Sequence, residues 1–347
     1  MSKQSTNAPI TESQARFLCT PHRIVIIVMW LLSTAVMVGM LFNGVRSTGQ
    51  YEAVRNFLQV GYVVALLWYI IRTGPFLNQL PELSPQVLPH WKYGAWIPVL
   101  GIALLFALII ILDEGFNILI LLLIIATVWI LLAWRRKIRL SAIVQGLAVA
   151  LIAYFAGLRF VNEGFAGKRL LYLLAGLSFP MYVAGGLLFQ RTRLGGIKLV
   201  EGKYWETIKS VFWGGLLFVP LGLINAAGGS PGSSIDWVNE WWMPLWLPWF
   251  SGIAEEVWFR LFLIGLCYFL LRPALRTRPT LAVVIAVLFS GITFGLGHAQ
   301  TLESFFVTGL LYGVPMAVIF VKHDWEHAVG AHYMVNMIPW LMVYLGT

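Results

Sequence analysis

The chain is short of charge. Asp, Glu, Lys and Arg together make up 11% of its 347 residues, whereas a water-soluble domain carries roughly 25%. That deficit excludes an ordinary soluble enzyme and an intrinsically disordered protein. Cysteine is scarce as well. Two residues, Cys19 and Cys267, cannot form a disulfide framework, and Cys267, inside an apolar run, reads as a packing residue. There is no repeat at a period of 20–50 residues and no low-complexity tract beyond a Gly/Ser/Pro loop from Ala226 to Ser234, which excludes solenoid arrays and fibrous chains. The polar first 22 residues contain no apolar h-region. The apolar run that follows is too long for a signal peptide and reads as a retained helix.

What the chain has in abundance is apolar surface. The AVILMFWYC residues account for 59%, and the mean hydropathy is +0.80. A helix needs about 20 apolar residues to cross a bilayer. Such runs are found near 24–43, 57–71, 95–112, 116–134, 141–160, 170–189, 208–227, 246–271, 281–299, 304–321 and 327–346. The expected fold class is an all-α polytopic membrane protein with about eleven transmembrane helices, the lipid bilayer being its first partner. Lys and Arg (24) outnumber Asp and Glu (15). In a membrane protein this excess marks cytoplasmic loops rather than a nucleic-acid surface. With the N-terminus inside, 18 of the 24 basic residues fall in inside segments. Arg46, Arg55, Arg159, Lys168 and Arg169 fall outside, and Arg260 lies within a span. The expectation is therefore a multi-pass integral protein, N-in and C-out, in a bacterial inner membrane.

The basic stretch 191–209 is the longest charged link between spans and the expected boundary. It separates a helical bundle (1–190) of no legible role from a region (210–347) rich in intramembrane polar residues. Trp237, Trp241, Trp242, Trp246 and Trp249 read either as an aromatic belt at the membrane interface or as a re-entrant lid. Pro244 and Pro248 disfavour a regular helix there.

An ionisable group inside a span costs about 2.5–3.5 kcal/mol on insertion scales and is a functional candidate for that reason. Three clusters stand out in the last spans. In Glu255-Glu256-Val257-Trp258-Phe259-Arg260, Glu256 and Arg260 are four apart on one helix face and suit an ion pair. Glu255 points about 100° away, is less well paired, and suits a general base. The bland reading is a single charge network between helices. In Phe294-Gly295-Leu296-Gly297-His298, the Phe and His share a face, and the His alone could be a hydrogen-bonded core residue. In His332-Tyr333-Met334-Val335-Asn336, the His and Asn side by side could hold an oxyanion, help to hold a metal, or clasp two helices. For Glu255, His298, His332 and Asn336 to meet, helix tilt or a re-entrant 241–250 segment has to bring the first two inward.

Other local signals carry less. His323-Asp324-Trp325-Glu326-His327 has the i, i+4 histidine spacing of a zinc pair but lacks the Glu that HExxH requires. It reads as a solvated connector. Asp113-Glu114 reads as a short outer loop. Neither GxSxG nor HExxH occurs, which argues against serine-type and zincin-type proteases.

Taken together and in order, Glu255-Glu256-x-x-x-Arg260, Phe294-x-x-x-His298 and His332-x-x-x-Asn336 resemble the motifs of the CAAX-protease and bacteriocin-processing family of intramembrane proteases. These are also called type II CAAX prenyl endopeptidases or Abi proteins. The resemblance covers about residues 245–346. It implies a C-terminal four-helix protease core that hydrolyses a peptide bond in a membrane-associated substrate, such as a prenylated peptide or a leader peptide. It also implies roles: Glu255 activating water with His298, His332 and Asn336 stabilising the oxyanion, Glu256 and Arg260 holding the first carboxylate. Two mechanisms stay open: a metal-free one, preferred slightly, and one with zinc on Glu255, His298 and His332. Outside the family, a proton-coupled transporter could use the same buried Glu/His cluster, although transporters tend to carry broken helices in both halves. A catalytically silent scaffold or immunity relative is the third reading.

Overall fold

A computed structural model describes residues 20–42, 49–73, 97–111, 115–162, 168–228 and 238–345. Among them lie eleven long helices. The first seven are α1 (Pro21–Phe42), α2 (Gly49–Thr73), α3 (Ile97–Ile111), α4 (Gly115–Ala133), α5 (Leu140–Asn162), α6 (Lys168–Thr192) and α7 (Tyr204–Gly228). Helix α8 covers 248–271, as α-helix over Pro248–Glu255, π-helix over Glu256–Ile264 and α-helix again over Gly265–Leu271. Helix α9 is Pro279–His298. Helix α10 covers 304–322, π-helical over Ser304–Gly313 and α-helical over Val314–Lys322. Helix α11 is Trp325–Tyr344. Eight helices are long and apolar enough to cross a bilayer, and Ile, Leu, Val and Phe side chains cover their outer surfaces. The protein is an all-α polytopic membrane protein, as its hydropathy predicts.

All eleven expected runs are helices. Two start earlier than hydropathy suggests, α2 at Gly49 and α7 at Tyr204. Their first turns carry Glu52 and Arg55, or Glu206 and Lys209, which pair with each other (3.7 and 3.0 Å). Backbone hydrogen bonding extends a helix through such polar turns, where an apolar window ends.

Helix α8 is the centre of the packing. Every residue of its π-helical stretch is buried, against α6, α9, α10 and α11. Helices α7 and α11 approach each other most closely. A Cβ on Gly330 would collide with the Val211 carbonyl, and one on Gly214 with the His327 carbonyl. Glycine at both positions lets the backbones touch, as in membrane helix pairs generally. Helix α1 packs on α7, and α5 on α8, so the N-terminal helices support the C-terminal ones.

At one end of the bundle, residues 193–203 fold over the α10–α11 turn. Trp325 N–H donates to the Gly196 carbonyl (2.8 Å), and Leu199 N–H donates to Glu326 Oε1 (2.7 Å). Lys198 Nζ pairs with Asp324 Oδ2 (3.0 Å) and donates to Ser210 Oγ (2.6 Å). Asp324 caps α11 by accepting from His327 N–H (2.8 Å), the role for which a short carboxylate is favoured at that position. Lys322, Asp324 and Glu326 are buried. The expectation of a solvated connector at 323–327 is therefore corrected: the α6–α7 link covers it, with Lys198 paired to Asp324 and the Leu199 N–H on Glu326.

At the other end, residues Met243–Trp246 form one helical turn ahead of α8. Trp241, Trp242 and Trp246 are exposed, as an interfacial belt requires. Trp249 instead lies against Tyr333 of α11 with the rings tilted by 37° (centroids 4.4 Å apart), and the Tyr333 hydroxyl donates to the Leu245 carbonyl (2.9 Å). The segment is thus tied to α11 beside His332. Cys267 is buried and free. Cys19, Asp113, Glu114 and Trp237 lie outside the described residues.

Candidate active site

Glu255 is the last residue of the first α-helical part of α8, and its side chain keeps 15% exposure. Its Oε2 lies 3.8 Å from His298 Nε2 and 3.7 Å from His332 Nε2. Helices α8, α9 and α11 therefore deliver one carboxylate and two imidazoles to one spot. Both gaps exceed a direct hydrogen bond, and Oε2 itself has no hydrogen-bond partner. His298 sits at the end of α9, its side chain 46% exposed, while that of His332 is 3% exposed. The site thus has one wet side and one dry side.

The remaining nitrogen of each ring fixes its orientation. His298 Nδ1 meets the Phe294 carbonyl at 2.9 Å. A carbonyl only accepts, so Nδ1 carries the proton. His332 Nδ1 meets Glu256 Oε1 at 2.7 Å and donates to that carboxylate. Both Nε2 atoms are then turned toward Glu255, and in a neutral ring each presents a lone pair to it.

Glu256 and Arg260 are wholly buried. Glu256 Oε2 lies 3.3 Å from Arg260 Nε, close enough for an ion pair but without hydrogen-bond alignment. Arg260 reaches on to α10, where Nη2 donates to the Gly313 carbonyl (3.3 Å). Its Cζ also lies 4.3 Å from the Phe294 ring centroid, a cation–π contact in a desolvated setting. The sequence-based expectation that Glu256 and Arg260 hold Glu255 differs from this arrangement, because Glu256 divides its two oxygens between His332 and Arg260. Phe294 is the common wall: its ring packs edge-on against His298 (4.7 Å) and His332 (5.5 Å) as well.

Asn336 is brought to α8 one turn away from Glu255. Its Nδ2 donates to Ser251 Oγ at 2.7 Å, and Ser251 lies four residues before Glu255 on the same helix face. Ser251 went unnoticed in the sequence, although that i, i+4 spacing marks it. Asn225 of α7 is a second unforeseen polar contact, donating to the Val335 carbonyl beside Asn336 (3.2 Å).

Glu255, His298 and His332 are of the donor types that suit zinc. Their spacing does not match it. Ligands of a tetrahedral zinc sit roughly 3.3 Å apart, and both measured edges are longer. Among the described residues no group of three or more His, Cys, Asp or Glu side chains is placed to hold a metal ion.

Outside the membrane spans, the connector between α10 and α11 carries three perturbed groups, of which Glu326 is raised to about 7 by burial and by the Asp324 charge. Burial and the neighbouring His327 push His323 down to about 4. Burial alone would raise Asp324, but the hydrogen bonds and charge of His327, with Lys198, hold it at about 2.

Residues 237–338 match the family model described as Type II CAAX prenyl endopeptidase Rce1-like, in agreement with the family that the three motifs resemble. The matched stretch contains Glu255, Glu256, Arg260, His298, His332 and Asn336 and lies downstream of α1–α7. No curated protein and no solved structure matches the chain.

Proposed function

We propose that the Rce1-like domain at residues 237–338 is an intramembrane endopeptidase acting on a membrane-associated or lipid-modified peptide. The observation that carries this reading is Glu255 Oε2 lying 3.8 Å from one imidazole Nε2 and 3.7 Å from another. A water set to one side of each gap, rather than in line, can reach both groups. Glu255 takes the proton of an attacking water as general base, and His298, on the wet side, orients that water. The tetrahedral intermediate places negative charge on the former carbonyl oxygen. His332 donates to that oxyanion once its Nε2 carries a proton. Asn336 gives one amide hydrogen to Ser251 and has a second for the oxyanion. Glu255 then returns the proton to the leaving amine.

This mechanism needs no metal, and metal-free hydrolysis is the reading we favour. The charge bias supports an N-in orientation; a bacterial inner membrane as the setting, and the stretch 191–209 as the boundary between an N-terminal bundle and the catalytic unit, are part of the same proposal. The test is purified protein in detergent, given a library of prenylated and leader-type peptides with and without a chelator, with metal content measured on the same sample. Cleavage that persists in chelator supports the proposal. Activity lost to chelator and restored by zinc overturns the metal-free part. No cleavage, together with proton-coupled flux in liposomes, overturns the whole in favour of a transporter.

A further inference from the structure

Pro220 lies inside α7 and Pro339 inside α11. A proline has no N–H, so the carbonyl four residues before it loses its helical donor. Those carbonyls belong to Leu216 and Val335. In a membrane such a loss is made good by a neighbouring helix, and here both are. The Trp30 indole N–H of α1 donates to the Leu216 carbonyl (2.8 Å), and the Asn225 amide of α7 donates to the Val335 carbonyl (3.2 Å). The next carbonyl along α7, that of Leu217, accepts from the Tyr62 hydroxyl of α2. We propose that Asn225 is a positioning residue for Asn336, and that Trp30 and Tyr62 hold the part of α7 from which it acts. This role rests on the endopeptidase reading, in which the Asn336 amide meets the oxyanion.

The path from Asn225 to the reacting centre is short. The Val335 carbonyl and the Asn336 nitrogen share one planar peptide unit, so Asn225 grips the backbone that carries the Asn336 side chain. Ser251 holds the amide end of that side chain (2.7 Å). Asn336 is thus fixed at its root by α7 and at its tip by α8. Without Asn225 the Val335 carbonyl, on a residue 4% exposed, has no helical donor, and a buried acceptor left without one is costly. The turn 335–339 would shift to find another, and the Asn336 amide would shift with it. Helix α7 is close enough for the short Asn225 side chain because the two backbones nearly touch one turn earlier. A Cβ on Gly222 would lie 2.9 Å from the Met334 carbonyl and 2.7 Å from Ile338 Cδ1. Trp30, Tyr62 and Asn225 all precede residue 237, where the Rce1-like match begins. The oxyanion side of the site therefore depends on α1 and α2, across the 191–209 link.

The test uses full-length protein in detergent and two readouts: steady-state cleavage of the best-cut peptide of the prenylated and leader-type library, and hydrogen exchange over residues 331–338. Asn225→Ala is expected to lower kcat about fivefold, the equivalent of one lost hydrogen bond, with KM little changed. Asn225→Gln, which keeps an amide, is expected to recover part of the rate. In an Asn336→Ala background, Asn225→Ala is expected to bring no further loss, because the two residues act as one unit. A contact that only stabilises the fold would lower the rate equally in both backgrounds. Trp30→Phe and Tyr62→Phe, which remove the donors alone, are expected to lower kcat in the same direction. Trp213→Phe, exposed on the same helix, is the control expected to keep the wild-type rate. Exchange over 331–338 is expected to rise in Asn225→Ala whether or not substrate is present. Fully additive losses in the Asn336→Ala background, or unchanged exchange in Asn225→Ala, would overturn the proposal. A wild type that cuts no peptide of the library would instead strike at the endopeptidase reading, so the two failures are told apart.

Discussion

His332 Nδ1 donates to Glu256 Oε1 at 2.7 Å, joining α11 to the π-helical stretch of α8. The other oxygen of the same carboxylate lies 3.3 Å from Arg260 Nε. One buried acid therefore neutralises an intramembrane guanidinium and sets the orientation of a ring aimed at Glu255. π-Helical turns recur at functional sites, and this one carries both Glu256 and Arg260.

Glu256→Ala follows directly. It strands Arg260 without a counter-charge in a dry interior and releases the His332 ring. Breaking a buried pair from one side costs about 3–5 kcal/mol, so the thermal midpoint in detergent and the yield of folded protein are expected to fall sharply. An unchanged midpoint would remove the ion pair from the account.

Ser251 offers a subtler test. Ser251→Ala removes the acceptor that holds the Asn336 amide at 2.7 Å. Losing one such bond, worth about 1 kcal/mol, is expected to lower kcat several-fold with KM little changed, because the amide acts on the oxyanion rather than on bound substrate. Ser251→Thr, which keeps the hydroxyl, is expected to recover most of the rate. Equal activity of Ser251→Ala and wild type would separate Ser251 from Asn336 function.

Stability should depend on pH through the α10–α11 turn. His323 is held at about 4, below its ordinary 6.5. Between these values the unfolded chain takes up a proton that the folded chain does not, so stability is lost as pH falls from about 6.5 toward 4. Asp324, held at about 2 against an ordinary 3.8, contributes stability that is present above 3.8 and lost as pH falls through about 2. Glu326 beside it, raised to about 7 by burial and by the Asp324 charge, acts in the opposite sense and equally in both proteins, so the comparison is relative: as pH falls from 7.5 to 4, the thermal midpoint of wild type is expected to drop against that of His323→Gln. An identical slope in the two proteins would contradict the assignment.

Much of the fold was legible because lipid converts apolar length directly into a helix. The expected run 281–299 is Pro279–His298, and 327–346 is Trp325–Tyr344. The i, i+4 spacings also placed Glu256 with Arg260 and Phe294 with His298 correctly. What escaped the sequence depends on contacts between distant segments. Nothing in Glu255-Glu256 says which carboxylate turns toward His332, since that choice follows from how α8 rotates against α11. The burial of Asp324 and Glu326 could not be read from a charged pentapeptide, because residues 193–203 supply the cover. The Asp324 helix cap, by contrast, was readable from an Asp placed just before a helix, and the zinc-like spacing of His323 and His327 drew attention away from it.

The central claim is that Glu255 activates the attacking water between two imidazoles, and Glu255→Gln tests it most directly. Gln keeps the shape and removes the base. The account predicts a folded variant with the thermal midpoint of wild type and with peptide cleavage reduced about 10²–10⁴-fold, the usual contribution of a general base. Cleavage at the wild-type rate by folded Glu255→Gln protein would contradict it.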